Sequence, residues 1–170
     1  EMTAVAFQHV RVVDGLGRTR PDATVLIKRL RIAAVGDAKQ LAAPRGAVRI
    51  DGRGLTLLPG LMDSHDHQCL GGDADVIQTV QQDDPALTLL KAARYARQTL
   101  EAGFTTVRDV GFRAHSIFQL KRAIESGLLP GPRIAAAGQV ICMPNGHARF
   151  IGREAEGPDA VVAAVQAQLD

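Results

Sequence analysis

The stretch Leu57-Leu58-Pro59-Gly60-Leu61-Met62-Asp63-Ser64-His65-Asp66-His67 decides how the rest of the chain is read. Pro59-Gly60 interrupts whatever precedes it, and a short segment comes next in which two histidines stand two residues apart. Side chains two apart on a strand point to one face, roughly 7 Å from each other along the backbone. His65 and His67 can therefore turn both imidazoles toward one ion, and Asp63 is expected on the same face. Imidazole suits zinc and related borderline metals, and a zinc site with an open position lowers the pKa of bound water to near 7. Such a site would hydrolyse something. A bare His-x-His also occurs as two unrelated turn or surface histidines, so its surroundings must carry the decision.

Upstream, residues 1 to about 57 read as short strands: AVAFQHVRVV, ATVLIKRLRIAAVG and AVRIDGRGLTLL, each rich in β-branched or alternating apolar residues. Asp14-Gly15, Gly36-Asp37 and Asp51-Gly52 supply turn chemistry between them. This predicts a small β-domain over 1–57 and a second domain over 58–170. Downstream, apolar strands alternate with helix-length segments, the pattern of a parallel sheet. LMDSHDH is the first strand. A helix is expected at about Pro85 to Ala102, capped by Asp84 and ended by Gly103, with Leu87, Leu90, Ala93, Ala96 and Leu100 as its core face. FTTVRDVG is a second strand, about Ala114 to Ser126 a second helix that stops at Gly127, PRIAAAG a third strand, and PDAVVAAVQAQLD a third helix. The second domain is too short for a closed eight-unit barrel, which needs roughly 200–250 residues. A fragment is the favoured reading, because the chain stops inside a helical pattern.

The 170 residues are 46% hydrophobic and 22% charged, as expected of a soluble globular protein. Twenty basic and eighteen acidic residues give a formal charge of +2, and the basic ones are scattered. No stripe exists to track phosphates, so nucleic acid is not an expected partner. No apolar run approaches the roughly 20 residues that span a bilayer, so no membrane is expected either. A cytoplasmic location is the expectation, with a trimmed signal peptide as the open alternative. Cys69 and Cys142 are too few and too far apart for a disulfide framework or a thiolate metal site.

LLPGLMDSHDH resembles the Pro-Gly-(Leu/Ile)-(Ile/Met)-Asp-x-His-x-His signature of the amidohydrolase superfamily. GFTTVRDVG, ESGLLPGPRI and the loop containing Asn145-Gly146-His147 are similar to the branch that holds imidazolonepropionase-like amidohydrolases and Xaa-Pro dipeptidase-type enzymes. The resemblance implies the N-terminal part of a (β/α)8 TIM barrel, preceded by half of a small β-sandwich and truncated after about three β/α units. It implies one or two divalent ions, zinc or else Mn or Co, with His65 and His67 as metal ligands. A carboxylated lysine on the fourth strand, histidines on the fifth and sixth and an aspartate on the eighth would complete the centre. All of these, and the general base, are expected beyond Asp170, since Lys28, Lys39, Lys91 and Lys121 are not placed to bridge.

The resemblance further implies hydrolysis of an amide bond in a dipeptide or N-acyl amino acid, Xaa-Pro types and amide-linked small toxins among them. The alternatives are a cyclic-amide hydrolase or deaminase of the same superfamily, or a non-catalytic relative. A small-molecule or dipeptide substrate is the expected partner, along with further copies of the chain in a homo-oligomer. His147, after the third strand, is the candidate substrate-binding residue, with a loop histidine of no function as its rival. Arg108 and Asp109 end the second strand, either shaping the pocket or bracing the strand end as an ion pair. Cys69 is read as a small buried apolar residue rather than a metal ligand. Asp66 is either a partner of the ligands or an outward-facing residue. One departure concerns the hairpin Lys28-Arg29-Leu30-Arg31, where related sequences carry an acidic residue and Gly; Leu is a poor occupant of positive φ.

Overall fold

A computed structural model describes residues 3–72, 74–113 and 115–169. The chain divides into two compact units, Glu1–Pro59 and Gly60–Asp170. The first holds five strands: β1 (Val5–Val13), β2 (Thr19–Lys28), β3 (Arg31–Asp37), β4 (Val48–Asp51) and β5 (Thr56–Leu57). They form one sheet in the order β3-β2-β1-β4, with β5 also on β1. The β1–β2 and β2–β3 pairs are antiparallel, whereas β4 and β5 run parallel to successive parts of β1. Asp14 closes the first hairpin by accepting the backbone N–H groups of Leu16 and Arg18. Its neighbour on the sheet is instructive: β2 and β3 are joined by Arg29 and Leu30 alone, at φ of 49° and 62°. The left-handed pair that a two-residue hairpin demands is thus built without glycine. His9, also at positive φ, sits at an irregularity of β1 and its Nδ1 lies 3.0 Å from Asp22, a structural contact.

The second unit contains a three-stranded parallel sheet, β6 (Leu61–Asp66), β7 (Phe104–Asp109) and β8 (Arg133–Ala136), in that order. Helices α1 (Val76–Gln82) and α2 (Pro85–Glu101) lie between β6 and β7, and α3 (Ser116–Glu125) between β7 and β8. A short parallel pair, β9 (Val140–Cys142) and β10 (Gly152–Glu154), precedes α4 (Gly157–Leu169). Strand–helix alternation therefore produces the expected α/β class. Helix α2 starts where its cap predicts, since the Asp84 carboxylate accepts the N–H of Leu87 at 2.8 Å and Pro85 needs no donor of its own. Gly103 and Gly127, at φ of 95° and 74°, follow α2 and α3 as anticipated.

Helices α2 and α3 bury one face of this sheet. Ala92 and Ala96 pack with Ile117, Leu120, Val107 and Ile134 in a core where each is at most 3% exposed. Removing each larger aliphatic side chain from water contributes about 1.5–3 kcal/mol.

Three expectations need correction. The core face of α2 is Thr88-Ala92-Ala96, with Leu89 and Ala93 beside it; Leu87 and Leu90 are 43% and 71% exposed. Small residues win that face because they allow close approach, as at Gly131, where an added Cβ would stand 3.3 Å from the Cβ of Ala96. The β9–β10 pair flanks the segment read as a loop, and helix α1 falls where no element was expected, both being too short to show a period. The second helix begins at Ser116; Ala114 and Asp170, both expected in helices, lie outside the described residues. No helix among the described residues is long and apolar enough to cross a membrane.

Candidate active site

The Pro-Gly lead-in has a steric reason. A Cβ on Gly60 would stand 2.1 Å from Thr105 Oγ1 and 2.7 Å from Thr105 Cβ. Glycine there lets β6 enter flush against β7, where the N–H of Leu61 donates to the carbonyl of Gly103 at 2.9 Å.

Strand β6 is not regular. Asp63 pairs with Val107 and Asp66 with Asp109, so three residues of β6 span two of β7. Such a bulge reverses the alternation of faces. Asp63 and Asp66 consequently share the side of Val107 and Asp109, and His65 and His67, which flank Asp66, project to the other side. The expected grouping of Asp63 with the histidines is therefore corrected: its carboxylate instead accepts the backbone N–H of His65 at 2.9 Å. Asp66 likewise points away from the imidazoles and takes a hydrogen bond from the Gln68 side-chain amide.

The two histidines are brought together. Their ring centroids lie 5.6 Å apart at 74°. Imidazoles sharing one ion at roughly 2.0–2.1 Å and a tetrahedral angle hold their centroids about 5 Å apart, so the spacing suits a shared ligand. His65 is exposed, whereas His67 is half-buried and its Nδ1 lies 2.6 Å from the carbonyl oxygen of Gly111. A carbonyl only accepts, so Nδ1 carries the proton and the Nε2 lone pair is left free to ligate. Gly111 can offer that carbonyl because it has no side chain: its φ is 117°, and a Cβ would meet the backbone N of Val140 at 2.9 Å.

Beneath the pair lies Asp109, wholly buried. It does not pair with Arg108, contrary to one of the two sequence readings. Adjacent strand residues face opposite ways, and Arg108 Nε donates to the carbonyl of Ser64 at 2.8 Å. The Asp109 carboxylate instead accepts the backbone N–H groups of Gln68 at 2.7 Å and Gly111 at 2.9 Å. Burial pushes its pKa up, and those two N–H groups partly oppose the shift. Burial, reinforced by the Asp109 charge, also pushes the Cys69 thiol up to about 12. Cys69 is 6% exposed and packed in the hydrophobic core, the small buried residue the sequence suggested.

His147 is exposed on a turn between β9 and β10. It follows the Met143–Gly146 turn, in which Pro144 precedes Asn145 at φ 60° and Gly146 N–H returns to the Met143 carbonyl. Among the described residues no group of three His, Cys, Asp or Glu side chains gathers to hold a metal, so His147 does not join His65 and His67 as a third ligand. Sequence reasoning missed Gly111 and the role of Asp109. The signal was present in Asp109-Val110-Gly111, where an Asp can bond the N–H two residues on.

A parallel β/α array with paired imidazoles at the C-terminal end of a strand is the class of scaffold that places functional side chains at that end. The chain belongs to the amidohydrolase family, whose family model matches residues 56–170. It is similar to the ochratoxinase of Aspergillus niger, 28% identical over 145 residues that cover 80% of this chain and 28% of that protein. It is similar to the imidazolonepropionase of an Arthrobacter species, 33% identical over 109 residues, 64% of this chain and 24% of that protein. Among solved structures, a Xaa-Pro dipeptidase with methionine bound in its active site superposes with a TM-score of 0.81 at 27% identity, covering 98% of this chain and 44% of that one. The chain therefore spans under a third of these curated relatives and under half of that structure.

Proposed function

We propose that this chain carries the first two metal ligands of an amide hydrolase, His65 and His67, and that the substrate is a dipeptide or N-acyl amino acid. Residues 58–170 would be the opening β/α units of a (β/α)8 barrel, and residues 1–57 half of a β-sandwich. One observation carries the reading: Gly111 fixes the proton of His67 on Nδ1, which leaves Nε2 open beside His65. Orientation of a ligand histidine by a carbonyl on its other nitrogen is the usual support of such a site.

When bound, a divalent ion supplies Lewis-acid chemistry, polarising the scissile carbonyl and acidifying a water. The residues present hold and orient. His65 and His67 bind, and the Gly111 carbonyl retains the Nδ1 proton. His147 would contact the substrate from its turn, and a carboxylate beyond residue 170 would move the proton to the leaving nitrogen.

The similarity to a Xaa-Pro dipeptidase and to an ochratoxinase favours linear amides, including amide-linked toxins; the similarity to imidazolonepropionase favours the cyclic-amide alternative. A panel of Xaa-Pro dipeptides, N-acyl amino acids and hydantoins, offered to the zinc-loaded full-length protein, separates the two. The expected result is turnover of a linear amide at least 100-fold faster than any cyclic one. Turnover confined to cyclic amides would replace this reading.

A further inference from the structure

We propose that Asp109 is a positioning residue for His67, acting through the backbone segments on either side of the imidazole; this rests on His67 being a metal ligand. The contacts close a ring. Asp109 Oδ2 accepts the N–H of Gln68, the residue next after His67, at 2.7 Å. Its Oδ1 accepts the N–H of Gly111 at 2.9 Å, and the carbonyl of Gly111 in turn receives the Nδ1–H of His67 at 2.6 Å. One carboxylate thereby sets both the chain that bears the ring and the carbonyl that selects its tautomer.

The chemistry of the side chain matches that task. Two converging N–H donors need two acceptors, and an ionised carboxylate offers only acceptors. An asparagine would present one oxygen and one NH2 group, the latter confronting a second donor. Asp109 is fully buried, and the nearest cationic side chain along the strand, Arg108, is turned to the Ser64 carbonyl. The carboxylate is thus spent on these amides and not on an ion pair. His65 is held differently, through its own backbone N–H to Asp63 on the same strand. Asp109 consequently acts on one ligand of the two.

The test uses the full-length protein and its Asp109→Asn variant, labelled with 15N-histidine. NMR of the metal-free protein reads which ring nitrogen of each histidine is protonated, and chelator competition reads zinc affinity. Wild-type His67 is expected as the Nδ1–H tautomer. In the variant that preference should be lost, with a fall in zinc affinity of roughly 10–100-fold and no change at His147. An Nε2–H tautomer at His67 in the wild type overturns the proposal, whether or not the variant folds. So does a variant that keeps both the wild-type tautomer and affinity. If the wild type binds no zinc, the metal reading fails alone, and a tautomer change at His67 in the variant still upholds positioning while its absence overturns it.

Discussion

The turn joining β2 to β3 and the turn after β7 both force the backbone to positive φ, yet they are filled by opposite kinds of residue. Arg29 and Leu30 occupy the first at 49° and 62°, with Leu30 89% exposed. Gly111 occupies the second at 117°, with Val140 against the space a Cβ would need. Left-handed backbone by itself therefore does not select glycine in this chain. An exposed turn absorbs a cost of about 1 kcal/mol or more per residue. A packed turn whose carbonyl must meet an imidazole has no such freedom.

That contrast can be broken from either side. Gly111→Ala should destabilise by roughly 2–5 kcal/mol in chemical denaturation, combining strained φ with overpacking against Val140. A loss below about 1 kcal/mol would show that the turn is not constrained as described. Leu30→Gly should stabilise by about 0.5–1 kcal/mol, the relief of strain exceeding the added freedom of the unfolded chain. Arg29→Asn should add a few tenths of a kcal/mol, because Asn tolerates this region better than Arg. Destabilisation by either hairpin change would mean that those side chains make contacts worth more than the strain.

Legibility in the sequence obeys the same physics. Capping by Asp84 and Pro85 and termination by Gly103 and Gly127 are local, so the long helices were readable. The strands were readable from apolar content, except the three-residue β9 and β10, and the His65–His67 pair from its spacing and Pro-Gly lead-in. The face of α2 was not, because burial there is decided by which side chains are small enough, Ala92 and Ala96, rather than by which are most apolar. Asp63 was misplaced for another reason: a bulge changes the period of a strand without any mark in its composition. The Asp109 ring was hidden because two of its three bonds join residues more than 40 apart in sequence.

The central claim is that His65 and His67 together hold the ion. The direct measurement is the zinc content and amide turnover of the full-length protein with His65→Ala and His67→Ala combined, checked for intact fold by circular dichroism. Loss of bound zinc to below about a tenth of wild type, with loss of turnover, is the predicted result. A folded double variant that retains stoichiometric zinc would contradict it.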